Sequence, residues 1–176
     1  VENASANVES NKISGNMKAN VAFGGARSEN TTVISNTITD SQFEGIFIIE
    51  GGDTRVKKNK IEGNLDGIVM LSSTVEVTDN HVRKNARYGV LIAKSGEFTE
   101  HKCHPIFTGN SVETNGIAGI FIKAGCSGTI TGNLSADNPV QVALEKREPG
   151  LKNIMNTNKF DGEVQIPRSD VCNIFQ

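Results

Sequence analysis

Tryptophan is absent from this 176-residue chain, tyrosine occurs once (Tyr88), and there are only four prolines and three cysteines. Neither sign of charge dominates. Lys and Arg number 18 against 20 Asp and Glu, a net charge of −2, so no global field draws the chain toward nucleic acid or an anionic membrane. No apolar run approaches the ~18 residues that a membrane-crossing helix needs, and no signal-peptide pattern opens the chain. Cys103, Cys126 and Cys172 are too scattered for a disulfide framework or a CxxC metal pair. They are expected as free thiols in a reducing compartment, cytoplasmic or nuclear, although an extracellular location is not excluded. Helix is also expected to be rare, because β-branched residues, Asn and Gly interrupt every stretch where a helix interior would fall.

What is present is a repeat. The unit reads apolar-x-x-Asn-x-apolar-x-x-Asn, then Gly-apolar-x-apolar. Successive copies are VESNKISGN with VAF, VISNTITDS with GIFI, VKKNKIEGN with GIVM, VTDNHVRKN with GVLI, and FTGNSVETN with GIFI. Degraded copies follow as ITGNLSADN with VQVAL and MNTNKFDGE with VQI, the last running from Met155 to Ile166. The first Asn of each copy is Asn11, Asn36, Asn59, Asn80, Asn110, Asn133 or Asn158, about 21–25 residues apart except for an insertion before Asn110.

Each copy holds three strand-like pieces of three to five residues, and none can bury an apolar face alone. Copies must therefore stack, each backbone pairing with the coil above and below. The expected fold is all-β, a single-stranded right-handed parallel β-helix of about seven coils spanning residues 1–166, with 167–176 a tail that could cap the rod. Val1 falls inside a repeat, so further coils or a cap are expected before it. Alternation places Val33, Val56, Val77 and Phe107 inward on the first strand, Ile38, Ile61, Val82 and Val112 on the second, and Ile46/Ile48, Ile68/Met70, Val90/Ile92 and Ile120/Ile122 on the third. The corner Asn residues are expected to adopt the left-handed conformation and to stack their amides in a ladder. A second series (Asn16, Asn64, Asn85, Asn115, Asn138) would cap the next corner. An antiparallel sandwich or barrel competes, but hairpins do not require one residue type at the same corner of every copy.

With its corner Asn, inward aliphatic and GIFI, GIVM or GVLI strands, the chain resembles right-handed β-helix proteins of the pectin-lyase-like superfamily. The segment from His104 to Asn133 further resembles the β-helix repeats of F-box and Shc-binding-type proteins. The resemblance implies the fold; one scaffold of this kind carries lyases, hydrolases, epimerases and pure binding domains.

Two surfaces could carry function. Outward positions on the third strand read Ala22, Phe47, Val69, Leu91, Phe121 and Ala143, an apolar stripe without a carboxylate. Such a stripe suits a protein partner or missing parts of the same chain, with Phe47, Val69, Leu91 and Phe121 as binding residues, unless the insertion Glu97–Lys102 folds over it. The main reading is accordingly a non-catalytic protein-binding or scaffolding module of a larger protein or assembly; a purely structural filler is a further possibility. The alternative is a carbohydrate-active enzyme (lyase, epimerase or hydrolase) acting on an acidic polysaccharide. Its candidates are Asp79 and His81, flanking Asn80, with Lys58 and Lys60 one coil back. A base and two ammonium groups could abstract a proton α to a uronate carboxyl and neutralise that carboxyl. Asp79-Asn80-His81 is similar to the Asp-Pro-His of alginate C5-epimerases, with Asn in place of Pro. His101-Lys102-Cys103-His104 lacks the second half of a zinc site, so neither metal nor cofactor is expected. The basic residues near Arg55 and Arg83 are diluted by Glu62, Glu76 and Asp79 and lack stacking aromatics, which argues against nucleic-acid binding.

Overall fold

In the computed structural model, residues 5–25, 30–96, 102–148, 151 and 154–166 are described. Among these described residues, twenty short strands, β1 (Asn7–Glu9) to β20 (Val164–Gln165), and one four-residue helix, α1 (Ile154–Thr157), follow one another. Up to β18 every third strand joins the same sheet; in the last coil α1 replaces the first strand, so β19 follows β17 and β20 follows β18. The first sheet runs β1-β4-β7-β10-β13-β16, the second β2-β5-β8-β11-β14-β17-β19, and the third β3-β6-β9-β12-β15-β18-β20. All pairings are parallel, and Val33 lies beside Val56, Ile38 beside Ile61, and Ile46 beside Ile68. This is the stacked β-helix that the repeat implies, about seven coils at ~4.8 Å each.

Three aliphatic columns fill the interior. Val33, Val56, Val77 and Phe107 are fully buried, as are Ile38, Ile61, Val82, Val112, Ile46, Ile48, Ile68, Val90, Ile92 and Ile120. A buried Val or Ile contributes roughly 1.5–3 kcal/mol against exposure, so this core supplies the main driving force for stacking.

The asparagine column is complete. Nδ2 of Asn11, Asn36, Asn59, Asn80, Asn110 and Asn133 each donates to Oδ1 of the corresponding Asn one coil on, ending at Asn158, over 2.8–3.1 Å. The same Oδ1 also accepts the backbone N–H of the preceding Asn, as between Asn59 and Asn80 at 2.9 Å. The conformational part of the expectation needs correcting. The left-handed residue is the one before each Asn from Asn11 to Asn133: Ser10, Ser35, Lys58 and Asp79 with φ of 56–58°, and Gly109 and Gly132 at 70° and 67°. The Asn is there to satisfy backbone groups that the corner takes out of the sheets.

The second ladder runs Asn64, Asn85, Asn115, Asn138, at 2.9–3.1 Å. Its start differs from expectation. Asn16 is exposed and bonds Asn20 (2.7 Å), and it is Asn20 that reaches Asn64 Oδ1 (3.2 Å) past a coil whose corner holds Ser41. The glycine opening each third strand makes room for this ladder. A Cβ on Gly45 would stand 2.8 Å from Asn64 Nδ2, and one on Gly67 2.8 Å from Asn85 Nδ2. The degraded sixth coil has Gln141 in that glycine's place, buried at 2% exposure, with Ser135 where an aliphatic would stand. Gln141 Nε2 donates to Asn138 O (2.8 Å) and its Oε1 accepts from Asn138 Nδ2 (2.9 Å). The smaller inward Ser135, donating to Gln141 O (2.8 Å), offsets the longer side chain.

Two further expectations are corrected. The first segment of the last copy forms α1 rather than a strand, leaving Met155 45% exposed while Ile154 is buried. The cysteines are not all free: Cys103 and Cys126 form a disulfide between adjacent coils. Both are buried, and they lie 23 residues apart, one coil period, so stacking brings them together. Cys172 and the tail 167–176 lie outside the described residues, as do Glu97 to His101.

Candidate functional site

The second sheet presents a charged outer face at its centre. In β8 (Lys60–Glu62), β11 (His81–Arg83) and β14 (Ser111–Glu113) the middle residue points inward, so both flanking residues face out. In-register stacking places His81 between Lys60 and Ser111, and Arg83 between Glu62 and Glu113. Two short columns of polar side chains result.

Glu62 bridges two cations, Lys60 Nζ at 2.9 Å and Arg83 Nε at 2.8 Å. Those partners, led by the Lys60 hydrogen bond, hold its carboxyl below the ordinary value of 4.5 against an opposing desolvation. Glu113 is lowered too, first by the hydroxyl of Ser111, which donates to Oε1, and further by His81 and Arg83. Both are therefore carboxylates at neutral pH. His81 Nε2 is shielded from solvent without a well-formed hydrogen bond, and Glu113 Oε2 stands 3.5 Å from it. The imidazole as a whole is 41% exposed.

The four residues proposed from sequence separate into two pairs. Lys60 and His81 share the outer column just described. Lys58 and Asp79 occupy equivalent left-handed positions at the first corner, and Asp79 turns to Lys57 (3.5 Å). Among the described residues, no hydrogen bond joins Asp79 to His81. Glu62, Arg83, Ser111 and Glu113 complete the cluster and were not among the sequence candidates. Their signal was available in the alternation of the second strand, since Glu62 and Arg83 lie one coil period apart.

The apolar column of the third sheet is present in the expected register, Ala22-Phe47-Val69-Leu91-Phe121-Ala143. It is less open than alternation suggests. Val69, Phe121 and Ala143 are buried, and Phe47 and Leu91 half-buried. The Tyr88 ring lies 5.3 Å from that of Phe121. Beside the column, Arg87 caps the buried carboxylate of Asp66 through Nε (3.1 Å) and Nη2. At the N-terminal coils, Met17, Ala22, Phe43 and Phe47 line an open groove of about 610 Å³. No group of three metal-capable side chains occurs among the described residues; His101 falls outside them, and Cys103 is engaged in the disulfide.

Residues 1–161 match the family model described as the right-handed β-helix region. The chain belongs to that family. Among solved structures, this β-helix is similar to the crystal structure of the periplasmic alginate epimerase AlgG. The two share 20% identity with a TM-score of 0.65, over 75% of this chain and 33% of that one. This β-helix thus spans about a third of that protein's length. No curated protein matches the chain in sequence. The comparisons add nothing to the narrower likeness with F-box and Shc-binding-type repeats. The expectation of a cytoplasmic or nuclear location is corrected: the structural neighbour is periplasmic, and a disulfide such as Cys103–Cys126 persists in oxidising surroundings.

Proposed function

We propose that this β-helix is carbohydrate-active, of the pectin-lyase-like kind, and that it engages an acidic polysaccharide on the outer face of the second sheet around His81. The observation that carries the reading is the cluster of Lys60, Glu62, His81, Arg83, Ser111 and Glu113 on three adjacent coils. The fold-level likeness to an alginate epimerase supports it, whereas the partial burial of the third-sheet column weakens the protein-docking alternative.

The chemistry follows from the protonation states. Glu113, kept ionised by Ser111, stands 3.5 Å from His81 Nε2, near enough to stabilise an imidazolium once it forms. The His81 imidazole removes the proton from the sugar carbon bearing the carboxyl. Lys60, one coil away in the same column and paired with Glu62 at 2.9 Å, must swing from that carboxylate to offset the negative charge that develops on the sugar carboxyl. Returning a proton from water to the opposite face of the carbon, while His81 gives its own to solvent, inverts the sugar. Expelling the glycosidic oxygen on the neighbouring carbon, which leaves as a hydroxyl with a proton from water, cleaves the chain and leaves a double bond. Arg83, committed to Glu62 at 2.8 Å, fixes the wall of the site.

The test is to incubate the protein with a panel of uronate polymers and neutral glucans, following unsaturated ends and changes in sugar configuration. Conversion of a uronate polymer that is lost in His81→Ala supports the proposal. A protein that neither binds nor converts any polyuronate refutes it.

A further inference from the structure

A second cluster of cations lies at a different corner of the rod, where the third sheet leads into the next coil. Lys94 follows β12 (Tyr88–Ala93), Lys102 to His104 precede β13 (Ile106–Thr108), and Gly125 to Ser127 precede β16 (Thr129–Thr131). Lys94, Lys102, Cys103, His104, Gly125 and Ser127 together line a pocket of about 320 Å³.

Three features make it more than a solvated turn. The Cys103–Cys126 bond ties the segment carrying His104 to the one carrying Ser127, so both are fixed. His104 Nδ1 lies 2.8 Å from Ser127 Oγ, which sets the ring and leaves Nε2 without a hydrogen bond among the described residues. Lys94 runs alongside Gly125, its Cδ 3.3 Å from where a Cβ would stand, and the absent side chain leaves that wall open. No ion pair engages Lys94 or Lys102 among the described residues. The nearest described carboxylates are held on the backbone: Glu145 accepts the N–H of Ala124 (2.8 Å) and Glu148 that of Gly125 (2.9 Å). Among the described residues, the pocket is lined by two ammonium groups without an ion pair and an imidazole, and by no carboxylate, a lining that selects for an oxyanion.

We propose that this pocket is an anion subsite that takes the carboxylate, or an equivalent sulfate ester, of an acidic sugar residue. Lys94 and Lys102 supply charge, His104 a directional hydrogen bond, and the disulfide the rigidity. The choice of ligand rests on the acidic-polysaccharide reading above. The site is separate from the His81 face, so that long polymers would be held at two corners of the rod while short ones need only one.

The experiment follows the backbone amide signals of Gly125 and Ser127 in the nitrogen-15-labelled protein during titration with a uronate trisaccharide, a sulfated neutral trisaccharide and an unmodified neutral trisaccharide. Saturable shifts are expected with at least one charged sugar and none with the neutral one, and the charged arm that responds names the oxyanion. Lys94→Ala and Lys102→Ala, both on exposed positions, should each weaken the interaction about tenfold. Equal shifts with the neutral sugar, no saturable shift with either charged one, or undiminished affinity in both lysine variants would overturn the inference. The outcome is independent of the His81 proposal. Uronate conversion without shifts at Gly125 and Ser127 removes only the subsite, and shifts that persist in a protein without conversion support the subsite alone.

Discussion

Replacing Asn80 by Ala deletes one rung from the middle of the first ladder. The rung donates to Val56 O (2.9 Å), Thr78 O (3.0 Å) and Asn110 Oδ1 (3.0 Å), and it accepts both the backbone N–H and the side-chain amide of Asn59 at 2.9 Å. Asn59 is 1% exposed, so water cannot replace the lost acceptor. Its amide keeps Val33 O (2.8 Å), but its backbone N–H and the Val56 carbonyl lose these partners. Two buried groups at about 1–3 kcal/mol each, with the small void left by the side chain, give a cost of about 3–5 kcal/mol. With a urea m-value of ~2 kcal/mol/M, the midpoint falls by about 1.5–2.5 M. Asn11→Ala is the control. Asn11 is exposed and ends the described column, so its loss costs ~1 kcal/mol or less. Asn80→Asp keeps the shape but turns an anionic oxygen toward the carbonyls of Val56 and Thr78. Burial raises that carboxyl's pKa in the folded state, so the variant is penalised increasingly as pH rises above the unfolded carboxylate value. The assay is urea unfolding followed by far-ultraviolet circular dichroism. A cost below ~1 kcal/mol for Asn80→Ala, or equal costs at Asn80 and Asn11, would refute the hydrogen-bond explanation of the ladder.

Gly67→Ala forces a methyl to within 2.8 Å of Asn85 Nδ2 and still closer to Val82 and Gly89 O, and should cost about 1–3 kcal/mol in the same assay. Replacing Cys103 and Cys126 together by Ser opens a loop of 23 residues and should cost about 3 kcal/mol by chain entropy; thermal unfolding of the oxidised protein against the variant measures it. Glu62 and Glu113 have folded pKa values below the ordinary 4.5. Their contribution to stability is therefore present above that value and is lost as pH falls through the lower, folded one. Glu62→Gln and Glu113→Gln should each flatten the acid limb of a stability–pH curve, and an unchanged limb would contradict the assigned partners.

The stacking was legible because it depends on types of residue that only the interior selects: aliphatics at Val33, Val56 and Val77, amides at Asn36, Asn59 and Asn80, and a glycine wherever a second amide passes. What the chain concealed was mostly lateral. In a stack, residues one period apart lie over one another, and that rule pairs Cys103 with Cys126 and Glu62 with Arg83; Arg87 reaches Asp66 from one residue out of register. Reading cysteines by local motif spacing misses the first pair, and reading carboxylates only along the third strand misses Glu62 and Glu113. The left-handed corner residue was misplaced by one because Asn is a common left-handed residue elsewhere; Gly109 and Gly132, each just before the Asn, were the visible clue. The burial of Phe121 could not be read from alternation, since it depends on Tyr88 packing across from the neighbouring coil.

The most direct measurement of the proposed activity is solvent-hydrogen exchange. A polyuronate is incubated with the protein in deuterium oxide, and deuterium at the carbon bearing the carboxyl is quantified by mass spectrometry and proton NMR. Expected is incorporation with the wild-type chain, a reduction of at least about a hundredfold in His81→Ala, and a smaller reduction in Lys60→Ala. Equal incorporation by wild type and His81→Ala would contradict the assignment of His81 as the base. No incorporation into any polyuronate that the protein binds would contradict proton abstraction as its chemistry.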